Sequence, residues 1–227
     1  MTALKVSPFE QQTSTLYAGN EIGQLWKVTG AQNPNNQSKQ DISGNDFVGS
    51  ISDINFGETE NDIFVTFYNY GVESIYYTSD GGTNWEKKEG NLPDFPVYSI
   101  IQSPLDSDEV IVGTDLGVWY TKNFFDSSPS WFPAFNGMSD VRVTDLDMRD
   151  DYKVFASTYG RGIFSSYFSS DGPLLQLSTA QPSLKVGQGE TSSFKVNYRV
   201  FSSYDFETTF SLEGLPENTE VTYSPSN

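Results

Sequence analysis

Hydrophobic and polar residues alternate in short runs along the first 168 residues, and the runs repeat. Each repeat has an apolar segment, a second apolar segment that ends in a small polar pair, and a glycine-containing turn into a third, aromatic segment. The unit recurs about every 43 to 51 residues. Apolar or alternating runs of this length predict β-strands, and the turn clusters between them predict antiparallel connections.

Four copies of this unit are present. The predicted strands are 3–8, 15–20 and 23–27; 52–56, 62–67 and 74–78; 98–104, 109–114 and 117–121; and 144–148, 153–158 and 162–165. A fourth, outer strand is predicted at 85–88 and 131–134, but none after Phe168, and the polar residues 32–46 are expected to form a loop insertion. Self-similarity with this period predicts a β-propeller of about four blades.

Four blades rarely close such a ring, so we expect the C-terminal part of a propeller of about six to eight blades. The first four residues lack the charged and apolar regions of a signal peptide and enter a repeat strand at once. We therefore expect the chain to be a piece of a longer protein. Its first partners would be the missing propeller blades of that parent chain.

The repeat stops after residues 169–173, which are the expected linker. Alternating strands are predicted at 174–178, 191–200, 208–212 and 220–223, with a turn at 187–190. This spacing predicts a β-sandwich, but residues 174–227 are only about half of an immunoglobulin-like domain. The predicted fold class is therefore all-β: a partial β-propeller over residues 1–168, followed by a truncated, incomplete β-sandwich of the immunoglobulin-like kind.

Composition excludes several classes of function. The chain has 13 basic and 30 acidic residues, a net charge of −17, so we predict no nucleic-acid partner. It has no apolar run of membrane-spanning length, so we predict no membrane insertion. Cysteine and histidine are absent, which removes disulfides, thiolate or imidazole metal ligands and a cysteine nucleophile. We predict no cofactor. Residues 106–109 and 145–147 could offer oxygen ligands to calcium, but neither has an EF-hand layout, so we predict no metal.

One turn carries a recognisable motif made of Thr78, Asp80, Gly82 and Trp85. The carboxylate can accept hydrogen bonds from turn amides, the glycine can take a positive φ, and the tryptophan can fill the space between strands. The motif resembles the Asp-box of BNR-repeat propellers, which include sialidases, sortilin-like receptors and xyloglucanase-type glycoside hydrolases. That resemblance implies a structural role on the face away from the ligand.

The resemblance extends beyond this turn. Residues 90–100, 112–119, 137–146 and 156–164 resemble the closing blades of BNR/Asp-box propellers in secreted proteins, many of them from Bacteroidetes. Residues 214–225 resemble the immunoglobulin-like modules that often follow such propellers, and type IX secretion is common in that family. The resemblance implies a secreted or cell-surface bacterial protein. It carries over no catalytic residues, because no position matches a sialidase arginine triad.

Two carboxylates are weak catalytic candidates. Asp53 and Asp145 occupy the same position of their repeats, where the third repeat has Ser99. A carboxylate pair about 5 to 10 Å apart near a propeller axis could act as the acid and base of a glycosidase. Alternatively, each residue ends the innermost strand and hydrogen-bonds a neighbouring blade. The recurrence at one repeat position favours this second interpretation.

Ligand-binding candidates come from the turns between the second and third strands, which the resemblance implies lie on the ligand-facing side. These turns carry Tyr70, Glu73, Asp115, Tyr159 and Arg161. Aromatic plates beside carboxylates suit sugar rings, whose faces stack while their hydroxyls form hydrogen bonds. The alternative is that the glycines simply turn the chain and Arg161 pairs with a neighbouring carboxylate.

The sequence thus favours a secreted or cell-surface binding module for a glycan or protein ligand, without catalytic activity of its own. A first alternative is a glycoside hydrolase of the xyloglucanase or sialidase-like propeller type that uses paired carboxylates. A second alternative is a structural adhesin segment with no specific small ligand.

Overall fold

The structure is a computed structural model that describes residues 1–9, 14–33, 35–134, 141–168, 174–179, 185–201, 209–212, 215–216 and 219–223. The chain divides into two compact units, Met1–Phe168 and Ser169–Asn227. Over the described ranges, no helix has the length and apolar character needed to cross a bilayer.

The first unit is built of four antiparallel meanders. Sheet 1 contains β1 (Ala3–Val6), β2 (Leu16–Gly19), β3 (Leu25–Thr29) and β4 (Ser38–Asp41); sheet 2 contains β5 (Ile51–Phe56), β6 (Ile63–Phe67), β7 (Ile75–Thr78) and β8 (Glu86–Lys87); sheet 3 contains β9 (Val97–Gln102), β10 (Val110–Thr114), β11 (Gly117–Thr121) and β12 (Phe132–Pro133); sheet 4 contains β13 (Val143–Met148), β14 (Lys153–Thr158) and β15 (Gly162–Tyr167). In each sheet the strands pair in chain order.

The sheets follow one another around their first strands. β1 contacts β5, β5 contacts β9, and β9 contacts β13. Successive meanders whose first strands face each other form the arrangement of propeller blades. The prediction of an all-β partial propeller is therefore confirmed.

Three apolar clusters hold the sheets together, one between each neighbouring pair. Leu25 of sheet 1 packs with Ile51 and Phe67 of sheet 2, all with no exposed surface. The other two clusters join sheet 2 to sheet 3 and sheet 3 to sheet 4. β6 is buried along its whole length, which explains its nearly continuous apolar sequence.

The small residues that end the second strands have a packing role. A Cβ added to Gly19 would lie 2.7 Å from Cγ2 of Ile51, and one added to Gly113 would lie 2.7 Å from Cγ1 of Val143. Each glycine faces the first strand of the next sheet. The small polar pair in the repeat therefore lets adjacent sheets approach closely at this point.

One structural prediction in the first unit is wrong. Residues 32–46 are not simply a loop insertion, because β4 lies within them and pairs with β3 from Trp26↔Asp41 to Thr29↔Ser38. All four residues of β4 are exposed. An outermost strand with neither face in the core has no apolar alternation, so the pattern that reveals the inner strands is missing here.

The described part of the second unit contains one two-stranded antiparallel sheet. It pairs β16 (Leu174–Thr179) with β17 (Val196–Phe201). The strand predicted at 191–200 begins five residues later than expected, and residues 209–212 and 220–223 are not in strands. Those predictions are wrong there, because alternation of apolar and polar residues is not by itself sufficient to form a strand. The expected linker at 169–173 lies outside the described residues.

Candidate ligand-binding site

An open cleft of about 600 Å³ lies where the turns of sheets 2, 3 and 4 meet. Its volume is within the usual range of small-ligand sites, about 300 to 1,000 Å³. The cleft is lined by Tyr70, Asp94, Phe95, Asp115, Leu116, Val141, Arg142 and Tyr159. Three of the five predicted ligand-binding residues, Tyr70, Asp115 and Tyr159, are thus brought together.

Asp115 is the centre of a hydrogen-bond network that joins three sheets. Its Oδ2 accepts a hydrogen bond from the Tyr70 hydroxyl at 2.7 Å, and its Oδ1 accepts one from the Tyr98 hydroxyl at 3.0 Å. Oδ1 also accepts a charge-assisted hydrogen bond from Nε of Arg142. Tyr70 belongs to sheet 2, Tyr98 to sheet 3, and Arg142 directly precedes β13 of sheet 4. The carboxylate therefore fixes the relative positions of the groups that line the cleft.

Local turn chemistry explains the position of Asp115. The Thr114 hydroxyl donates to the carbonyl of Gly117 at 2.8 Å and accepts from the amide of Leu116 at 3.1 Å. Gly117 has a φ of 85°, which an L side chain rarely adopts. The side chain of Thr114 and the glycine thus close a tight turn that presents Asp115 and Leu116 to the cleft.

The network shifts the pKa values of its members. Desolvation alone would raise the pKa of Asp115, but the hydrogen bonds from Tyr70, Arg142 and Tyr98 outweigh it and lower that pKa below its usual value. Burial, followed by the hydrogen bond to Asp115, raises the pKa of Tyr98 to about 12. The hydrogen bond to Asp115 also raises the pKa of Tyr70. At neutral pH the network is one carboxylate, one guanidinium and two neutral phenols.

Two aromatic rings lie close to the guanidinium of Arg142. Its guanidinium carbon lies 5.3 Å from the centroid of the Tyr98 ring and 6.0 Å from that of Tyr159. Tyr159 itself is 76% exposed, and its amide donates to the carbonyl of Arg142 at 2.9 Å. The terminal nitrogens of Arg142 have no hydrogen-bond acceptor among the residues that the structure describes. The cleft therefore contains a fixed guanidinium with donors available to a ligand.

The turn that carries Tyr70 is tied down by two carboxylates. The Gly71 amide donates to Asp94 at 2.7 Å, and the Ser74 amide donates to Glu89 at 2.6 Å. Desolvation, with the nearby charges of Glu73 and Asp94, raises the pKa of Glu89 to about 7, even though the hydrogen bond from Ser74 lowers it. The position of Tyr70 thus depends on acidic groups beneath its turn.

Two predicted residues do not line the cleft. Glu73 lies on the same turn as Tyr70, half-buried, where its charge acts on Glu89 and Tyr76. Arg161 is exposed on the turn between β14 and β15, outside the set of residues around the cavity.

Asp53 and Asp145 are also outside the cleft. Asp53 Oδ2 accepts hydrogen bonds from the Ser99 hydroxyl and the Ile100 amide, both at 3.0 Å, and so links β5 to β9. Partial desolvation, followed by the negative charge of Asp53, raises the pKa of Asp145. Asp53 therefore makes a contact between sheets, while Asp145 retains its proton more readily than an ordinary aspartic acid.

The turn from Thr78 to Trp85 is organised around Asp80. Its Oδ1 accepts from the Asn84 and Thr83 amides, both at 2.9 Å, and from the Thr78 hydroxyl at 2.7 Å. These bonds, first of all that from Asn84, lower the pKa of Asp80 to about 2. Gly82 has a φ of 93°, and the Trp85 indole donates to the carbonyl of Ile42 in the stretch between sheets 1 and 2 at 2.9 Å. The turn lies outside the cleft and fastens sheet 2 to the chain that enters it.

Sequence reasoning missed Asp94, Tyr98 and Arg142. The sequence does contain a signal for Arg142. This residue lies three positions before Asp145, and the equivalent positions of sheets 2 and 3 are occupied by Ser50 and Pro96. A long cationic side chain at a position otherwise filled by small residues marks a departure from the structural repeat. Within the described ranges, no group of three or more acidic side chains is arranged to hold a metal ion.

Comparison with known proteins supports the fold. The chain is similar to an ancestral GH74 enzyme, with 13% identity and a TM-score of 0.51 over 73% of this chain and 22% of that one. It also overlaps a GH74 enzyme from Niastella koreensis, with 10% identity and a TM-score of 0.48 over 69% of this chain and 26% of that one. It overlaps a GH74 xyloglucanase from Xanthomonas campestris as well, with 12% identity and a TM-score of 0.49 over 70% of this chain and 26% of that one.

The chain thus spans about a quarter of the length of these solved structures. At this identity the overlap with the ancestral enzyme concerns the fold, and it agrees with a partial β-propeller. No protein-family model matches the sequence. No curated protein matches it at a significant level either.

Proposed function

We propose that the first unit is part of a secreted or cell-surface propeller that binds a glycan in the cleft between Tyr70 and Tyr159. The observation that carries this proposal is the combination of two exposed tyrosine rings with a guanidinium fixed by Asp115. Ring faces stack on the apolar faces of sugars, and fixed donors bind their oxygens. A glycan is a better fit than a protein surface, because the site is a concave cleft.

The cleft favours binding over hydrolysis. A glycosidase needs one carboxylic acid that holds a proton and a second carboxylate about 5 to 10 Å away. Asp115 accepts three side-chain hydrogen bonds and has a lowered pKa, so it is a poor proton donor. Asp94 is engaged by the amide of Gly71. The two acidic side chains of the cleft thus hold its walls in place.

A glycan array probed with the whole 227-residue chain tests the proposal, followed by calorimetric titration of the sugars that bind. Replacing Tyr70 or Tyr159 by alanine should weaken binding about five- to thirtyfold, the equivalent of losing about 1 to 2 kcal/mol of stacking. Tyr198→Ala is the matched control, since Tyr198 and Tyr70 are each 63% exposed and Tyr198 belongs to the second unit. If no glycan binds, or if the control weakens binding equally, the proposal is wrong and the structural adhesin alternative gains support.

One observation favours a second candidate function, glycoside hydrolysis by Asp53 and Asp145. Partial desolvation, followed by the negative charge of Asp53, raises the pKa of Asp145, and a raised pKa next to a second carboxylate is what a catalytic acid requires. Release of reducing ends from the polysaccharides that bind is the appropriate assay. Hydrolysis that disappears in Asp145→Asn and in Asp53→Asn would establish this function. Turnover that is unchanged in both variants would eliminate these residues as catalysts.

A further inference from the structure

We propose that the ligand is an acidic glycan, and that the terminal nitrogens of Arg142 bind the carboxylate of a uronic acid residue. This inference rests on the proposed glycan-binding function of the cleft and names the class of sugar. The juxtaposition that supports it is a guanidinium that lies beside the exposed ring of Tyr159, is bonded to the partly buried Asp115, and has no acceptor for its terminal nitrogens among the described residues.

The guanidinium is positioned before any ligand arrives. Its Nε is bonded to Asp115, and Asp115 is itself fixed by the hydroxyls of Tyr70 and Tyr98. The rings of Tyr98 and Tyr159 lie within 6.0 Å of the guanidinium carbon. A side chain held in this way loses little conformational freedom when it binds, so its remaining donors are well suited to recognition.

The donors that remain have a specific shape. With Nε bonded to Asp115, the two terminal nitrogens form the outer edge of a planar fork. Two parallel N–H groups match the two oxygens of a carboxylate, and such bidentate bonds are about twice as strong as neutral ones. A sugar hydroxyl, with a single oxygen, uses this edge less completely. The geometry therefore favours a carboxylate over a neutral group.

The surrounding side chains favour a sugar acid over an acidic peptide. The ring of Tyr159, 76% exposed, lies next to the guanidinium and provides a face for stacking. In a uronic acid the carboxylate is attached directly to a rigid ring, so stacking and the ion pair are made together. A glutamate or aspartate side chain carries its carboxylate on a flexible arm and loses rotamer freedom on binding.

The net charge of the chain opposes the approach of such a ligand. At −17, the molecule repels anions at long range, and the Asp94 carboxylate lies at the Tyr70 end of the cleft. Long-range repulsion combined with a short-range ion pair can be recognised from the salt dependence of the association rate constant. The association rate constant for an acidic sugar should rise when salt is increased from about 0.02 M to about 0.15 M, because salt screens the long-range field more than the contact.

The test uses oligosaccharides of galacturonate, glucuronate and mannuronate, each paired with its own carboxyl-reduced form. The two members of a pair differ only in a carboxylate replaced by a hydroxymethyl group. We expect the wild-type chain to bind at least one acidic member about tenfold or more tightly than its reduced form. Arg142→Gln should abolish that preference, because it weakens binding of the acidic member more than binding of the reduced form, and Arg142→Lys should retain only a few-fold preference.

Arg149→Gln is the control, because Arg149 is also an exposed arginine in an ion pair, with Asp151, and lies outside the cleft. Thermal unfolding of each variant shows that it is folded. Equal binding of acidic and reduced sugars would overturn this inference and leave the glycan-binding function intact. A preference that survives in Arg142→Gln, or tighter binding of an oligoglutamate peptide than of any sugar, would also overturn it. Absence of binding to every sugar would show that the proposed function itself is wrong.

Discussion

At the scale of single residues, the cleft depends on one carboxylate that serves three sheets. Asp115 accepts hydrogen bonds from Tyr70, Tyr98 and Arg142, and its side chain is only 14% exposed. Hydrogen bonds to a charged group are typically worth about 1.5 to 3 kcal/mol each when buried, and less where water competes. The residue thus both stabilises the first unit and orients the groups proposed to bind ligand.

Glu89 provides a prediction of pH dependence. Its pKa is raised from 4.5 to about 7 in the folded chain, so the folded state holds a proton that the unfolded state has released. Stability should therefore fall as the pH rises from about 4.5 to about 7. Glu89→Gln removes this pH-dependent loss of stability, while the side-chain oxygen of the glutamine can still accept a hydrogen bond from the Ser74 amide. We expect the variant to be more stable than wild type above pH 7, by about 1 kcal/mol after solvent screening, with a flatter pH profile.

Urea unfolding followed by tryptophan fluorescence at pH 5 and pH 8 measures this difference. All four tryptophans, at 26, 85, 119 and 131, lie in the first unit, so the signal reports that unit alone. Equal stability of wild type and Glu89→Gln at both pH values would contradict the account of Glu89.

Part of the candidate site was predictable from single residues. Tyr70, Asp115 and Tyr159 were identified because they lie in turns between second and third strands, and turns are placed well by strand periodicity. Tyr98 lies in the first strand of sheet 3, and Arg142 lies directly before the first strand of sheet 4. At these positions neither residue type distinguishes a binding residue from an ordinary strand residue. Their role arises from contacts between different sheets, which no local pattern encodes.

At the scale of elements, the turn from Thr78 to Trp85 allows a test under acid conditions. The pKa of Asp80 is lowered from 3.8 to about 2, so its stabilising effect is present above about pH 4 and is lost as the pH falls toward 2. Asp80→Ala should destabilise the first unit at pH 7 by about 1 kcal/mol, as loss of a comparable cap does. The difference from wild type should shrink below pH 4. Glu58→Ala, the loss of another exposed acid, serves as the control; an equal effect of both would refute the special role of Asp80.

Close approach of neighbouring sheets at Gly113 can be measured by a double-mutant cycle. Gly113→Ala places a methyl group against Val143 and should cost about 1 to 3 kcal/mol. Val143→Ala removes the Cγ1 atom that would collide, so the double variant should recover at least about 1 kcal/mol relative to the sum of the single changes. Urea unfolding monitored by tryptophan fluorescence gives the four stabilities. Simple additivity would show that the two residues do not limit the approach of the sheets.

Element prediction succeeded where one face or both faces of a strand are buried. β6 and β10 were found because apolar residues fill them, whereas β4, fully exposed, was hidden in a polar stretch. In the second unit, residues 209–212 alternate as a strand would but do not form a strand. Pattern predicts which face of a strand is apolar, but pairing depends on the partner strand.

At the scale of the whole molecule, the net negative charge predicts how stability depends on salt. With 30 acidic and 13 basic residues, the folded chain repels itself, and added salt should screen that repulsion. We expect the melting temperature of the first unit to rise by about 2 to 4 °C between about 0.02 M and about 0.3 M sodium chloride, the change that about 1 kcal/mol produces in a chain of this size. Tryptophan fluorescence during heating records it. A melting temperature that stays constant would mean that ion pairs balance the net repulsion, and one that falls would mean that they outweigh it; either result would contradict this prediction.

The arrangement of sheets in the first unit was the part most readily predicted, because a repeated sequence unit predicts a repeated structural unit. Three interfaces between four successive sheets follow from one repeated pattern of buried and exposed positions. The proposed ligand is the part that repetition hides, since the proposed site includes positions where the repeats differ, such as Arg142.

The central claim is that the cleft between Tyr70 and Tyr159 binds a sugar. A crystal structure of the 227-residue chain with a bound oligosaccharide tests it most directly. We predict a sugar ring stacked on Tyr70 or Tyr159, with an oxygen atom within hydrogen-bond distance of a terminal nitrogen of Arg142. A sugar bound instead beside Asp53 and Asp145, with the cleft empty, would contradict it.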